Sequence, residues 1–150
     1  MDTPGSMLAA HLLINTYCRR RGRFPALCAQ VATQPADAGR ILGTLAYVII
    51  FESLPGGPVN GPTELCMHRS SDGEPTDIDT VDPVTRAVAR TIAALAGGDL
   101  AMASAIILPW ITDPEPCADL LARMTAYAHA AAHHLPVVGV TFDTLDHSGH

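Results

Sequence analysis

His129 and His133 stand four residues apart in the run His129-Ala130-Ala131-Ala132-His133. On a helix that spacing puts two imidazoles on one side, where they can share a metal ion. Zinc or nickel suits imidazole donors, with His134, Cys66 or His68 as further donors should the chain fold them nearby. Alanines replace the glutamate that lies between the histidines of a metalloprotease helix. Helical phase, at about 100° per residue, sets both histidines opposite Leu120, Met124 and Ala131. They are therefore expected to face solvent or a partner. Ala126 and Ala130 share that outer side. A helix apolar on one side and bland on the other can pack on both. Ala126, His129, Ala130 and His133 are thus the expected interaction surface, and His129 with His133 the candidate metal pair.

Other reactive side chains form no recognisable constellation. Cys18, Cys28, Cys66 and Cys117 make no Cys-x-x-Cys pair. They read as small reduced core residues of a cytoplasmic protein. Asp72, Glu74, Asp77, Asp79 and Asp82 lack the alternation, central glycine and closing glutamate of a calcium loop. They read as a solvated acidic loop. There is no Gly-x-Ser-x-Gly, no phosphate-binding glycine loop and no carboxylate pair in an apolar setting, so an enzyme is not the expectation and no cofactor is implied.

All nine basic residues are arginines, and four of them, Arg19, Arg20, Arg21 and Arg23, fall within five positions. Directly after them, Phe24–Leu54 reads as a short helix, a break at Thr33-Gln34-Pro35 and a longer apolar helix. That is the spacing of a helix-turn-helix. Arg19, Arg20, Arg21, Arg23 and Arg40 would meet phosphates, while Gln34, Arg40 and Thr44 would face bases. The face is poor for reading bases, since Ala36, Asp37, Gly39 and Gly43 share it. The arginine run also has a local explanation, because cations complement a helix C-terminus.

The elements that would carry these groups are mostly helical. Ser6 is the expected cap of a first helix, Met7 to about Arg20, with Leu8, Leu12, Leu13 and Tyr17 inward and Gly22 as its stop. In the third helix Ala38, Ile41, Leu42, Leu45 and Val48 point inward, and Leu45–Phe51 is apolar all round, although Tyr47–Phe51 would also suit a strand. Residues 55–82 are rich in proline and glycine and read as one long irregular loop. Asp82-Pro83 opens a helix with Val84, Ala87, Val88, Thr91, Ile92 and Leu95 inward and Arg86 and Arg90 outward. Gly97-Gly98 ends it. Asp99 caps the next, in which Leu100, Ala103, Ile106 and Ile107 point inward and which Pro109 ends. A last helix starts near Asp113-Pro114, with Cys117, Leu120, Leu121, Met124, Ala128, Ala131 and Leu135 inward and Asp119 paired to Arg123. Val137–Phe142 is extended and expected to lie across the bundle, and residues 143–150 are expected to be a mobile tail.

The chain has 150 residues, of which 48% are hydrophobic and 16% charged, enough to bury one core without disulfides. Its net charge of −6 is uneven: residues 1–60 carry five arginines and three acids, residues 61–150 four arginines and twelve acids. No secretory leader and no membrane-length apolar run is visible. These observations predict an all-α, single-domain bundle of five or six helices over residues 1–142. The expected function is a small non-enzymatic interaction or regulatory protein, with a protein partner or self-association. A helix-turn-helix DNA-binding regulator is the alternative, and a metal-binding protein using the His pair the third reading.

Overall fold

The computed structural model describes residues 4–53, 64–69, 71–135 and 140–145. The chain is an all-α bundle with a small sheet at one side. Helix α1 spans Pro4–Arg19, α2 Phe24–Ala32, α3 Pro35–Ser53, α4 Pro83–Ala96, α5 Leu100–Ile111 and α6 Pro114–Ala132. Strands β1 (Glu64–Arg69), β2 (Pro75–Thr76) and β3 (Val140–Leu145) pair antiparallel in the order β2-β1-β3. No described helix is long and apolar enough to cross a membrane.

Helices α3 and α6 form the centre, and each packs against all four other helices as well as against the other. Ile41, Leu42, Leu45, Ala46, Ile49 and Ile50 of α3 are buried, as are Leu120, Leu121, Met124, Tyr127 and Ala128 of α6. The apolar run at Tyr47–Phe51 is helix and not strand, because α3 is surrounded and needs apolar residues on nearly every side. The threonines that fall in this interior satisfy their own hydroxyls. Thr91 Oγ1 donates to Ala87 O at 2.7 Å and Thr125 Oγ1 to Leu121 O at 2.7 Å. A buried hydroxyl left without an acceptor would cost about 1–3 kcal/mol.

Local signals set the helix starts in the second half. The Asp82 side chain accepts from the Thr85 N–H, the Asp99 side chain from Met102 and the Asp113 side chain from Glu115. Gly98, at φ 78°, supplies the left-handed turn between α4 and α5. Burial pushes the Asp82 carboxyl up, but hydrogen bonds from the Thr85 hydroxyl and N–H, with the Arg123 charge, hold it below its ordinary value. Its contribution is complete above the ordinary carboxylate range and is lost as pH falls through the depressed value.

Several expectations need correction. Helix α1 begins at Pro4, so Ser6 lies inside it and is buried instead of capping it. Its inward residues are Ser6, Ala10 and Leu13, with Tyr17 half-buried, while Leu8 and Leu12 are 71% and 52% exposed. Helix α5 continues through Pro109 to Ile111, since a proline in the last turn sacrifices a single backbone bond. Arg86 is half-buried, not outward, and donates to the carbonyls of Ile78, Asp79 and Val81. No Asp119–Arg123 pair forms; Arg123 reaches Asp82 and Thr85 on α4 instead. The stretch read as one loop holds β1, β2 and a 3-10 turn over Ile78–Thr80. Residues 143–145 belong to β3 and not to a tail, and β3 pairs with β1 instead of crossing the bundle. The Pro/Gly-rich segment 55–62, Pro136 and residues 146–150 lie outside the described residues.

Two stability predictions follow from local geometry. A Cβ built at Gly43 in α3 meets nothing within 4 Å. Gly43→Ala should therefore raise unfolding free energy by about 0.5–1 kcal/mol. Asp82→Ala, which removes the cap and Arg123's carboxylate partner, should lower it by about 1–2 kcal/mol. Urea unfolding with an unchanged m-value reads both.

Candidate interaction surface

The helix-turn-helix spacing is present as α2 and α3, and most of α3 is packed inside the bundle. From Ile41 to Ile50 every residue is buried or half-buried under the other helices, while Phe51 near its end is 67% exposed. Entry into a groove about 12 Å wide needs a free helix face. Thr44, expected to face bases, is buried, and its hydroxyl donates to Arg40 O at 3.0 Å. Gln34 and Arg40 are exposed, and Arg40 pairs with Asp37 at 3.4 Å. Arg21 folds back on α1. Its Nε donates to Tyr17 O at 2.6 Å, and its guanidinium lies 4.0 Å above the Tyr17 ring. Arg19, Arg20 and Arg23 are exposed, beside a stretch from Thr3 to Ala36 that contains no acid.

The outer face expected on α6 is largely an internal one. His129 and Ala130 are buried, Ala126 is half-buried, and only His133 of the four is exposed. Helix α1 covers the side of α6 expected to face solvent, through Tyr17 on His129. His129 packs edge-on against Tyr17 with ring centres 5.3 Å apart, and Tyr17 packs on Phe24 at 5.1 Å. His133 stacks beside His129 at 4.7 Å. Burial pushes the His129 pKa down, and the charges of His133 and Arg21 push the same way.

That environment does not suit a metal. Among the described residues no three His, Cys, Asp or Glu side chains converge. A cationic Arg21 beside a desolvated imidazole opposes a divalent ion. The side chain of Cys66 lies outside the described residues, and His68 is on β1. Cys28 and Cys117 are buried; burial, then the Cys117 charge, pushes the Cys28 thiol up to about 12, and burial also raises Cys117. Neither is a nucleophile at neutral pH. Cys18 is exposed.

What remains exposed and apolar is elsewhere. Helix α5 contains no charged residue along its 12 residues. It buries Ala103 and Ile107 against α3, α4 and α6, and half-buries Ile106. Leu100, expected inward, is 60% exposed, with Met102 at 52% and Leu108 at 57%. Ala101, Ser104, Ala105 and Pro109 complete this uncharged outer face. The inner side is fixed by close approach to α3, where a Cβ on Gly39 would lie 3.5 Å from Ile111 Cδ1. The signal was in the sequence: an apolar helix with no charge to mark an outward side. A second exposed stripe, Met7, Leu8 and Leu12, lies on α1, beside the exposed Arg19 at the end of that helix.

A pH measurement tests the His129 environment. With its folded pKa lowered, His129 binds a proton more readily in the unfolded chain. Stability is complete above the ordinary histidine value and declines as pH falls through it toward the depressed folded value. The thermal midpoint should fall between about pH 8 and about pH 5, and His129→Phe should flatten that slope. Parallel profiles would show that the buried ring does not titrate as described. No known protein family, no curated protein and no solved structure matches this chain.

Proposed function

We propose that the protein is a small non-enzymatic interaction protein that associates with a second copy of itself through the outer face of α5. The observation that carries this reading is the absence of charge on a half-exposed helix bearing Leu100, Met102 and Leu108. Exposed apolar patches of this kind mark association sites more often than free surface. The occupant follows from charge. Two chains of net charge −6 repel. A two-fold contact lays each face on its own copy, so any charged face would oppose itself. The α5 face brings no charge to that contact.

Magnitudes bound the strength. Fully burying each large apolar side chain gains about 1.5–3 kcal/mol, and these three are already about half covered. Association costs at least about 4 kcal/mol in lost freedom. The three anchors therefore support a reversible dimer and not an obligate one. Sedimentation velocity from about 1 µM to about 100 µM should show concentration-dependent dimerisation. Leu108→Glu should return a monomer with unchanged helix content. A strict monomer across the range, or a dimer indifferent to Leu108→Glu and Met102→Glu, would remove the reading.

Nucleic-acid binding is supported by one observation, the exposed Arg19, Arg20 and Arg23 in an acid-free stretch. Contact through these residues would be to phosphates alone, without base reading and with steep salt dependence. DNA affinity that survives Arg19→Gln, Arg20→Gln and Arg23→Gln together would remove it.

A further inference from the structure

We infer that the cleft between the small sheet, the start of α4 and α6 is a binding site for a small ligand bearing a carboxylate or phosphate group, held by the guanidinium of Arg123. The cleft has a volume of about 720 Å³, the size of a small-molecule site. Tyr127, Thr85 and Arg123 line it from the helices, Asp77 and Asp82 from the connecting segment, and Arg69 from β1.

The segment that walls the cleft is firmly held. Arg86 donates from Nε to Ile78 O at 3.2 Å and from Nη2 to Asp79 O at 3.3 Å and Val81 O at 3.1 Å. Asp77 accepts from the Asp79 N–H at 3.0 Å, and Thr80 Oγ1 donates to Asp77 O at 2.7 Å. Arg86 is thus consumed by structure, and the N-terminus of α4 is already filled by the Asp82 carboxylate.

Arg123 is different. Its side chain is 41% exposed. Nη1 donates to Thr85 Oγ1 and stands 3.4 Å from Asp82 Oδ1. Among the described residues no hydrogen bond uses Nε or Nη2. A guanidinium has five N–H donors in a planar fork, so most of this one is unspent. Asp82 neutralises it only in part, because the same carboxylate also accepts the Thr85 N–H and hydroxyl. Both contacts use Nη1, so the Nε–Nη2 edge of the fork is the one that can make the two parallel bonds that carboxylates and phosphates accept. Across the cleft, Arg69 pairs with Asp72 at 3.0 Å, both side chains about half exposed. Arg69 Nε and Nη2 are both spent on the two Asp72 carboxylate oxygens, and Nη1 is the end that can meet an anion. Asp77 and Asp82 oppose a polyanion and favour a ligand of low negative charge, a carboxylate or a phosphate in its monoanionic form.

The test is a titration of the whole chain, followed by backbone amide NMR, with inorganic phosphate and, separately, with acetate, each against sodium chloride of equal ionic strength. Saturable shifts at Thr85, Arg123 and Tyr127 are expected from at least one probe; the stronger probe identifies the ligand class. Arg123→Gln should weaken binding about tenfold or more, Arg123→Lys should recover only part of it, and Arg90→Gln on the exposed side of α4 should change nothing. Circular dichroism of each variant separates loss of the site from loss of the fold. If Arg123→Gln unfolds, Arg69→Gln carries the test, with weakening of a fewfold expected. Shifts that never saturate, that match chloride, or that persist in the folded Arg123→Gln or Arg69→Gln chain overturn the inference.

Discussion

Two nineteen-residue helices, α3 and α6, lie side by side with most of their length enclosed, and each of the other four helices packs on both. Such a pair can be enclosed only if its side chains are apolar, small or self-satisfied. Here leucines and isoleucines supply the area, alanines allow α1 and α2 to approach α6, and threonines bond to the preceding turn. The result, among the described residues, is a core without a buried Asp, Glu or Arg. Burial free energy comes almost wholly from area removed from water, at about 25 cal/mol per Å². No ion pair or metal has to hold the centre.

The same arrangement decides what was readable from sequence. Starts governed by one or two neighbouring residues were legible: Asp82-Pro83, Asp99 and Asp113-Pro114 each open a helix as their chemistry requires. The stripe of α4 is legible too, since Ala87, Val88, Thr91, Ile92 and Leu95 are buried and Arg90 faces out as their spacing requires. In α1 the phase is not, and in α6 the stripe Cys117, Leu120, Leu121, Met124 and Ala128 is buried as read, but the opposite side is buried as well and Leu135 is exposed. Alanine fits an inner or an outer face equally, so Ala10 being inward and Leu8 outward is decided by what packs alongside. His129 was assigned to solvent because one apolar stripe was taken to exhaust the inward positions, whereas α6 is covered from several directions. Strands β1 and β3 were hidden because each has its partner far along the chain.

The candidate surfaces divide along the same line. The arginines were easy to see and prove to be partly spent: Arg21 closes α1 and Arg86 holds a turn. The α5 face was hard to see because it is marked by missing charge. Arg123 looked like half of an ordinary pair within its own helix and instead bridges α6 to α4. In each case the helix assignment was sound and the neighbour was not deducible from spacing.

The pairing of β1 with β3 also has a consequence for timing. Glu64 lies opposite Leu145, and Arg69 opposite Val140. During synthesis β1 emerges before α4, α5 and α6, yet its longer partner is the last described element to be made. The helical core also depends on contacts that span much of the chain, α3 and α1 on α6, but α6 is complete before β3 is made. Until then β1 has only the two-residue strand β2 beside it. A chain cut short after α6 would keep the helical sequence but leave the long edge of β1 without a strand to cover it, an edge of the kind that recruits other chains.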